Sequence, residues 1–481
     1  MPYRDLPDFV AALEQAGDLR RVSCEVDPAL EMTEIVRRLQ KAGGGPALLF
    51  EKPKGYSVPV LMNAFGTEQR MAMALGVESC DEIAQRIQEL LQFEPPKTLA
   101  DKIAALPRLA ELASFTPKDV SKAPCQEVVE DNPSFASLPI IKCWPQDGGP
   151  FITLPVVVTR SPRTGARNVG MYRMQIYNER TAGMHWHIHK HGAEHLRELP
   201  PEERRLPAAV CLGGDPATTY AATAPLPYEF DEFLFAGFLR RQAVELVKCK
   251  TLDLEVPAQA EIVLEGFVDA GDLRMEGPFG DHSGFYSPPA LYPTFHLTCL
   301  TRRADPIYPA VVVGEPPMED GPIGKATERI FLPLVKMLAP EIVDLNLPVF
   351  GIFSNLAIVS IRKSYPGQAR KVAHALWGTG QTMLTKIIVV VDEEVDVHDI
   401  EQVGWWATTN IDPQRDVFFV EGPVDSLDHA SPEQDFGSKM GIDATRKLPS
   451  EGHKRGWPER ARMSEEMVER VTRRWKEYGL P

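Results

Sequence analysis

The sequence predicts a fold of α/β plus β type in three parts: an α/β unit over 1–112, a β-rich unit over 113–315, and a second α/β unit over 316–481. Three observations carry this reading. The first part alternates helical and strand periodicities punctuated by glycines. The middle part is dense in prolines and β-branched runs separated by turn-forming segments. The last part runs strand, helix, strand, helix, strand, an order that implies parallel pairing through right-handed crossovers.

Each element has a local cause. Leu6, Phe9, Val10 and Leu13 share one helical face, and Gly17 supplies a stop. Met32, Ile35, Val36 and Leu39 repeat the pattern before Gly43, Gly44 and Gly45. Strands are expected over 47–50 and 58–62, and helices over 67–75, 81–93 and 97–112. In the middle part, 155–160 and 170–177 flank the turn-rich SPRTGA stretch as in a hairpin. Further strands are expected over 244–249, 261–268, 293–301 and 308–313, with one helix over 229–241. Many short strands with turns between them favour a barrel or a sandwich. The last part places strands over 355–362, 387–392 and 417–420, and helices over 367–378 and 398–407. From Trp457 a terminal helix lines Met463, Met467, Val468, Val471, Trp475 and Tyr478 on one stripe, too apolar for a free tail.

Composition narrows the function. With 43% hydrophobic and 25% charged residues the chain is ordinary globular protein. A net charge of −15 makes it a poor partner for nucleic acid, which needs a basic face. Its longest apolar runs, such as 387–391, are strand-sized and far short of the ~20 residues of a membrane span. Asp5, Asp8 and Glu14 make the first segment an amphipathic helix rather than a signal peptide. Seven scattered cysteines without a CxxC pair fit a reducing cytoplasm.

Four segments stand out chemically. In MHWHIHKHGAEH, five of the eleven histidines (185, 187, 189, 191 and 195) crowd together. On a strand, His185, His187, His189 and His191 would share one face and could bind metal; the plainer alternative is a polar, half-exposed strand. His191, Glu194 and His195 also match the HxxEH pattern of zinc hydrolases, which requires a helix. In MEGPFGDHSG, glycines and a proline hold Glu276 and Asp281 close, so that repulsion would raise one pKa. The alternative is a solvated acidic turn. In RNVGMYR, Arg173 could grip a carboxylate and Asn168 could offer its amide oxygen to a hard cation. Residues five apart face opposite ways on a regular strand, so one shared site requires a bulge at Gly170 or ligands on both sides of the backbone. Small residues and hydroxyls over 221–227 precede the 229–241 helix, an arrangement suited to an anion, and Glu232 sits in its first turn, where capping is an equal explanation. Gly324, Lys325 and Ala326 do not form a Walker loop, and no GxGxxG opens a βαβ unit, so ordinary ATP or NAD binding is unsupported.

Taken together with GGPALLFE (44–51), PKGY (53–56), FAG (235–237), VKC (247–249), LEVPAQAEIVLEG (254–266), EGPFGDHSGFY (276–286) and GSKMGIDAT (437–445), these segments resemble the UbiD family of decarboxylases over nearly the whole chain. The resemblance implies a central split β-barrel of the flavin-reductase type. It implies prenylated FMN, made by a flavin prenyltransferase and anchored through its phosphate by Mn²⁺ or Mg²⁺, with K⁺ nearby. Asn168, His189 and Glu232 match the metal-ligand positions, and Lys439 a phosphate contact. Ala222, Thr223, Ala224 and Pro225 match the segment around phosphate and K⁺, with Met171 and Tyr172 beside the cofactor. Arg173, Glu276 and Asp281 match the catalytic network. Arg173 would hold the substrate carboxylate, Glu276 would orient Arg173, and Asp281 would donate the proton. His185, His187, His191 and His282 receive no role.

This donor set suits a hard, octahedral ion better than structural zinc. Decarboxylation leaves an electron pair on carbon, and side chains offer no sink for it, so a cofactor must. The implied protein is a cytoplasmic homodimer or higher homo-oligomer that removes CO₂ from an aromatic or α,β-unsaturated carboxylic acid. Asp281 followed by His282, where many aliphatic-type members carry Glu, resembles members acting on hydroxybenzoates. That points to a phenolic acid, including the polyprenyl-hydroxybenzoates of ubiquinone biosynthesis. The rival readings are an aromatic carboxylase fixing CO₂, a zinc hydrolase built on HxxEH, and a non-catalytic subunit.

Overall fold

Asp5 starts the first helix by accepting the backbone N–H of Asp8 at 3.0 Å, and Leu6–Gln15 then buries Leu6, Phe9, Val10 and Leu13 as its periodicity predicts. The computed structural model describes residues 3–92 and 99–480. The strand that follows, Leu19–Val26, was not expected from the sequence. Only its two end residues are buried, so it carries no alternation to read. It pairs in parallel with Ala47–Pro53, which continues to Val60–Met62 and then to Tyr308–Ala310. That last strand arrives from far along the chain and ties the central segment to the N-terminal sheet. Helices Glu31–Lys41, Glu68–Ala74 and Asp81–Leu91 match the periodic segments. The helix expected over 97–112 is found as Leu99–Ser114, with 97–98 outside the described residues.

The central part is a nine-stranded antiparallel sheet. Its strands run in the order Phe151–Ile152, Met174–Ile176, Thr181–Met184, Ala290–Arg302, Ile262–Glu276, Arg205–Leu212, Pro155–Arg160 and Arg167–Met171, with Val128–Val129 paired to Ala290–Arg302. The expected hairpin is present, but its second strand begins at Arg167 and stops at Met171. Pairing runs unbroken from Val156 with Met171 to Arg160 with Arg167, so Gly170 is no bulge. The chain instead leaves the strand at Tyr172 and rejoins the far side of the sheet at Met174. Arg173 therefore escapes the alternation that would have opposed it to Asn168.

Helix Glu232–Arg240 lies within the expected 229–241 and is capped by Asp231, which accepts the Phe233 N–H at 2.8 Å. In its FAG segment, Gly237 presses on the chain after Leu99–Ser114. A Cβ there would lie 2.1 Å from the Phe115 carbonyl oxygen. Gly237→Ala must push these backbones apart, and the expected cost of about 1–3 kcal/mol should appear as a lower thermal unfolding midpoint.

The C-terminal sheet corrects the expected order. Leu356–Ile361 and Ile387–Asp392 pair in parallel as predicted. Phe436–Asp443, an unexpected strand, then pairs in parallel with Ile387–Asp392, and Val417–Pro423 lies antiparallel at the edge instead of third in a parallel series. Phe436–Asp443 lacks a β-branched run, with Gly437, Lys439 and Gly441 inside it. Gly441 is there for close packing, because a Cβ would meet the Phe418 ring at 2.1 Å.

The terminal helix Glu465–Arg474 has no buried residue. Met463, Met467, Val468, Trp475 and Tyr478 of its stripe are exposed. Among the described residues, no helix is long and apolar enough to cross a membrane.

Candidate active site

The strand Ile262–Glu276 delivers Glu276, fully buried, to the start of a pinned loop. Gly277 donates its N–H to Gln175 Oε1 at 2.6 Å, and Gly280 donates to Asp147 Oδ1 at 2.8 Å. Gly280 has no room for a side chain, since a Cβ would lie 2.1 Å from the Trp144 ring. This fixes Asp281, 5% exposed, on the same side as Glu276.

Arg173 sits between the two carboxylates. Its Nε donates to Glu276 Oε1 at 2.8 Å, and its Nη2 reaches Glu276 Oε2 at 3.3 Å and Ser287 Oγ at 3.2 Å. Its Nη1 bonds Asp281 Oδ2. The guanidinium lies 4.5 Å over the Phe279 ring. Imidazoles close both ends: His185 Nδ1 is 3.2 Å from Glu276 Oε2, and His282 Nδ1 is 2.9 Å from Asp281 Oδ1. His185, Glu276, Arg173, Asp281 and His282 thus form one chain in which a cation lies between two buried carboxylates and a half-buried imidazole closes each end; burial and then Arg173 lower the His185 pKa.

The electrostatics differ from the sequence expectation. Burial favours neutral Glu276, but His185 and Arg173 outweigh it and hold the group at about 2. Burial also pushes Asp281 up, and Arg173 followed by His282 more than reverse it, leaving the carboxyl well below the usual range. Burial alone would lower His282, yet its bond to Asp281 lifts it to about 9. A cation between two carboxylates replaces the repulsion that proximity alone suggested. Ser287 and the His185 contact gave no separate sequence signal, because they join residues more than ninety apart along the chain.

A second cluster forms where Arg167–Met171 meets helix Glu232–Arg240. Glu232 is 4% exposed, accepts the Val169 N–H at 2.8 Å, and is raised to about 8 by burial. Among the described residues it has no ion-pair partner. Asn168 is buried and donates through Nδ2 to the Tyr172 hydroxyl at 3.3 Å. The Met171 N–H donates to Ala222 O at 3.0 Å, which binds the small-residue segment to the strand end. Ala224 N–H continues that turn to Ala221 O at 3.1 Å, and Thr223 spends its hydroxyl on Tyr220 O at 2.7 Å. Pro225 ends the turn just before Leu226, whose N–H returns to Ala224 O. Lys439 is buried in its strand, bonds Thr385 O at 3.2 Å and Met383 O, and is lowered to about 8 by burial.

The histidine segment is not the strand it resembles. Thr181–Met184 ends before it, and His191–Arg197 is a helix. Trp186 causes the turn. Its indole is buried against Gly192, where a Cβ would lie 2.6 Å from the ring nitrogen. The imidazoles therefore diverge: His185 goes to Glu276, while His187 Nε2 lies 3.2 Å from Asp435 Oδ1 of the C-terminal part. His189 is exposed with its ring 5.2 Å from that of His187, and among the described residues it makes no hydrogen bond or ion pair with Asn168 or Glu232.

The HxxEH helix exists, but His195 is buried on Thr159 Oγ1 at 2.9 Å, and Glu194 turns to Arg197. No third His, Cys, Asp or Glu joins these side chains in a group able to hold metal among the described residues.

The comparisons with known proteins give the class of this three-part chain: it is a carboxy-lyase. Residues 10–90, 118–316 and 322–444 match the N-terminal, Rift-related and C-terminal domains of 3-octaprenyl-4-hydroxybenzoate carboxy-lyase. The chain belongs to the UbiD family. It is 54% identical to an uncharacterized protein of Archaeoglobus fulgidus over 479 residues, 99% of each chain. Vanillic acid decarboxylase of Sedimentibacter hydroxybenzoicus, in closed form, is 31% identical with a TM-score of 0.87, matching 99% of this chain and 100% of that one. An evolved dimeric form of the UbiD-class enzyme HmfF from Pelotomaculum thermopropionicum, solved with prFMN, is 30% identical with a TM-score of 0.78, over 97% and 98% of the chains.

Proposed function

We propose that this chain removes CO₂ from an aromatic acid of the hydroxybenzoate type, using prenylated FMN held by a divalent ion. The observation that carries the reading is Arg173, buried and fixed by Glu276, Asp281 and Ser287. A guanidinium has five N–H donors, and these four bonds leave one for a substrate carboxylate. Vanillic acid decarboxylase, an aromatic acid decarboxylase of the same fold, supports the substrate class, and the prFMN complex of HmfF supports the cofactor.

Glu232 is the observation that supports that cofactor. A buried carboxylate without an ion-pair partner, such as Glu232, is one that a bound cation would relieve. Glu232, Asn168 and His189 would hold Mn²⁺ or Mg²⁺, and Lys439 would face the phosphate. Ala222, Thr223, Ala224 and Pro225 would line the phosphate and K⁺. When bound, prenylated FMN supplies the electron sink that side chains lack. Arg173 orients the substrate carboxylate, Glu276 and His185 fix the plane of Arg173, and Phe279 excludes water beneath it. Asp281 then gives a proton to the carbon that CO₂ leaves.

The nine-stranded central sheet supports a split barrel for the 113–315 unit, set between units 1–112 and 316–481. The exposed apolar stripe of the terminal helix supports a homo-oligomer, in keeping with the dimeric form of HmfF. Deleting residues 458–481 should lower the particle mass by light scattering; an unchanged mass would count against this assignment.

The activity test uses protein co-expressed with a flavin prenyltransferase. CO₂ release is expected from vanillate, 4-hydroxybenzoate or 3,4-dihydroxybenzoate. Release from a non-aromatic unsaturated acid alone would overturn the substrate class, and no release from any acid would overturn the activity.

Glu232 gives a second expectation. Its pKa is raised in the folded chain, so between about pH 4.5 and 8 the metal-free native state binds more protons than the unfolded one, and stability falls as pH rises through that window. Glu232→Gln should therefore raise the melting temperature of metal-free protein at pH 8, by about 2–4 °C for each kcal/mol relieved. The same change should lower divalent-metal content on elemental analysis.

A further inference from the structure

Asp281 has both oxygens engaged. Oδ2 meets Arg173, and Oδ1 accepts the backbone N–H of His282 at 2.8 Å and its ring Nδ1 at 2.9 Å. A carboxylate held in this way is ionised when substrate arrives and must gain a proton before it can give one. Arg173 cannot lend one, because a guanidinium stays protonated. Among the described residues, His282 is the side chain that presents a titratable N–H to Oδ1.

The surroundings of His282 suit a cation. Its ring bonds Asp281 in its own loop, and the charges of Asp320, at the start of helix Asp320–Leu338, and Asp425, after strand Val417–Pro423, also favour its protonated form. The Phe353 ring lies 6.3 Å away, and the His282 side chain is 25% exposed, so water reaches it. A cavity of about 270 Å³ meets Asp281 from another side, among Trp144, Phe285 and Tyr286, and water there is the rival proton source.

We propose that His282 is a positioning and proton-relay residue, which holds Asp281 through Nδ1 and passes to it the proton that Asp281 delivers to the substrate carbon. This rests on the decarboxylase reading of the site. The bond between the ring carbon and the carboxylate breaks, CO₂ leaves, and the electron pair stays on carbon. His282 Nδ1–H passes its proton to Asp281 Oδ1, and Asp281 gives it to that carbon to form the new C–H bond. His282 regains a proton from water, so each turnover consumes one proton and returns Asp281 to its ionised state.

The test compares His282→Gln and His282→Asn with wild type as cofactor-loaded enzymes, across neutral and alkaline pH, alongside NMR of the histidine rings. Wild-type kcat should fall on the alkaline side as His282 loses its proton. Both variants should lose about 10²-fold in kcat with KM little changed, and the alkaline limb should vanish. The ring signal missing from His282→Gln should titrate near pH 9 in wild type and at lower pH in Asp281→Asn. Variants within about threefold of wild type that keep the alkaline limb would assign the proton to cavity water and overturn the relay. A ring that titrates in the ordinary histidine range and ignores Asp281→Asn would overturn it whatever the activity. A linked titration in wild type that releases no CO₂ would uphold the Asp281–His282 coupling while sinking the decarboxylase reading, so the two failures are distinguishable.

Discussion

Asp281→Asn is expected to abolish CO₂ release while leaving flavin and metal content as in wild type. The amide is nearly isosteric with the carboxylate and still offers an oxygen to the His282 N–H, which the native side chain accepts at 2.8 Å. Glu276 continues to hold Arg173 at 2.8 Å, so the substrate grip survives. The substitution removes the ability to carry a proton to carbon. General acid catalysis of this kind contributes about 10²- to 10⁴-fold, and the loss should fall in kcat with little change in KM. Steady-state CO₂ release, flavin absorbance and metal analysis on one preparation check all three parts. Activity within about threefold of wild type on a confirmed substrate would remove Asp281 from the chemistry.

His189→Ala should release both the divalent ion and the flavin, although His189 is the exposed member of its cluster. If the cofactor phosphate is anchored through the ion, losing one ligand of the ion loses both groups together. His191→Ala should keep both, because His191 packs its ring 5.2 Å from Tyr228 at the start of a helix. His187→Ala should also keep them while removing the contact with Asp435. The comparison is informative because spacing treats these histidines alike, and only their placement separates them. Stoichiometric metal and flavin in purified His189→Ala would overturn the ligand assignment.

Much of the fold was legible in the sequence wherever burial follows a local period. The first helix announces itself in Leu6, Phe9, Val10 and Leu13, and the strand Ile387–Asp392 in its β-branched run. Leu19–Val26 and Phe436–Asp443 escaped notice for the converse reason. The first shows no alternation, and the second is interrupted by glycines and a lysine. The alternating histidines misled because period two describes a strand only if the backbone continues as one, and the burial of Trp186 turns it aside.

By itself the sequence determined the three-part architecture and the family, since periodicity and ordered motifs are properties of the chain. Only the tertiary structure decided how those residues meet. Leaving the strand after Met171, and pairing Ile262–Glu276 with Ala290–Arg302, place Arg173 between Glu276 and Asp281. Each carboxylate alone in a buried loop would favour its proton. The cation between them, with an imidazole at each end, sets both below the ordinary range and leaves His282 holding the proton. Charge state depends on neighbours over a few ångströms in space, and Arg173 and Asp281 lie 108 residues apart along the chain.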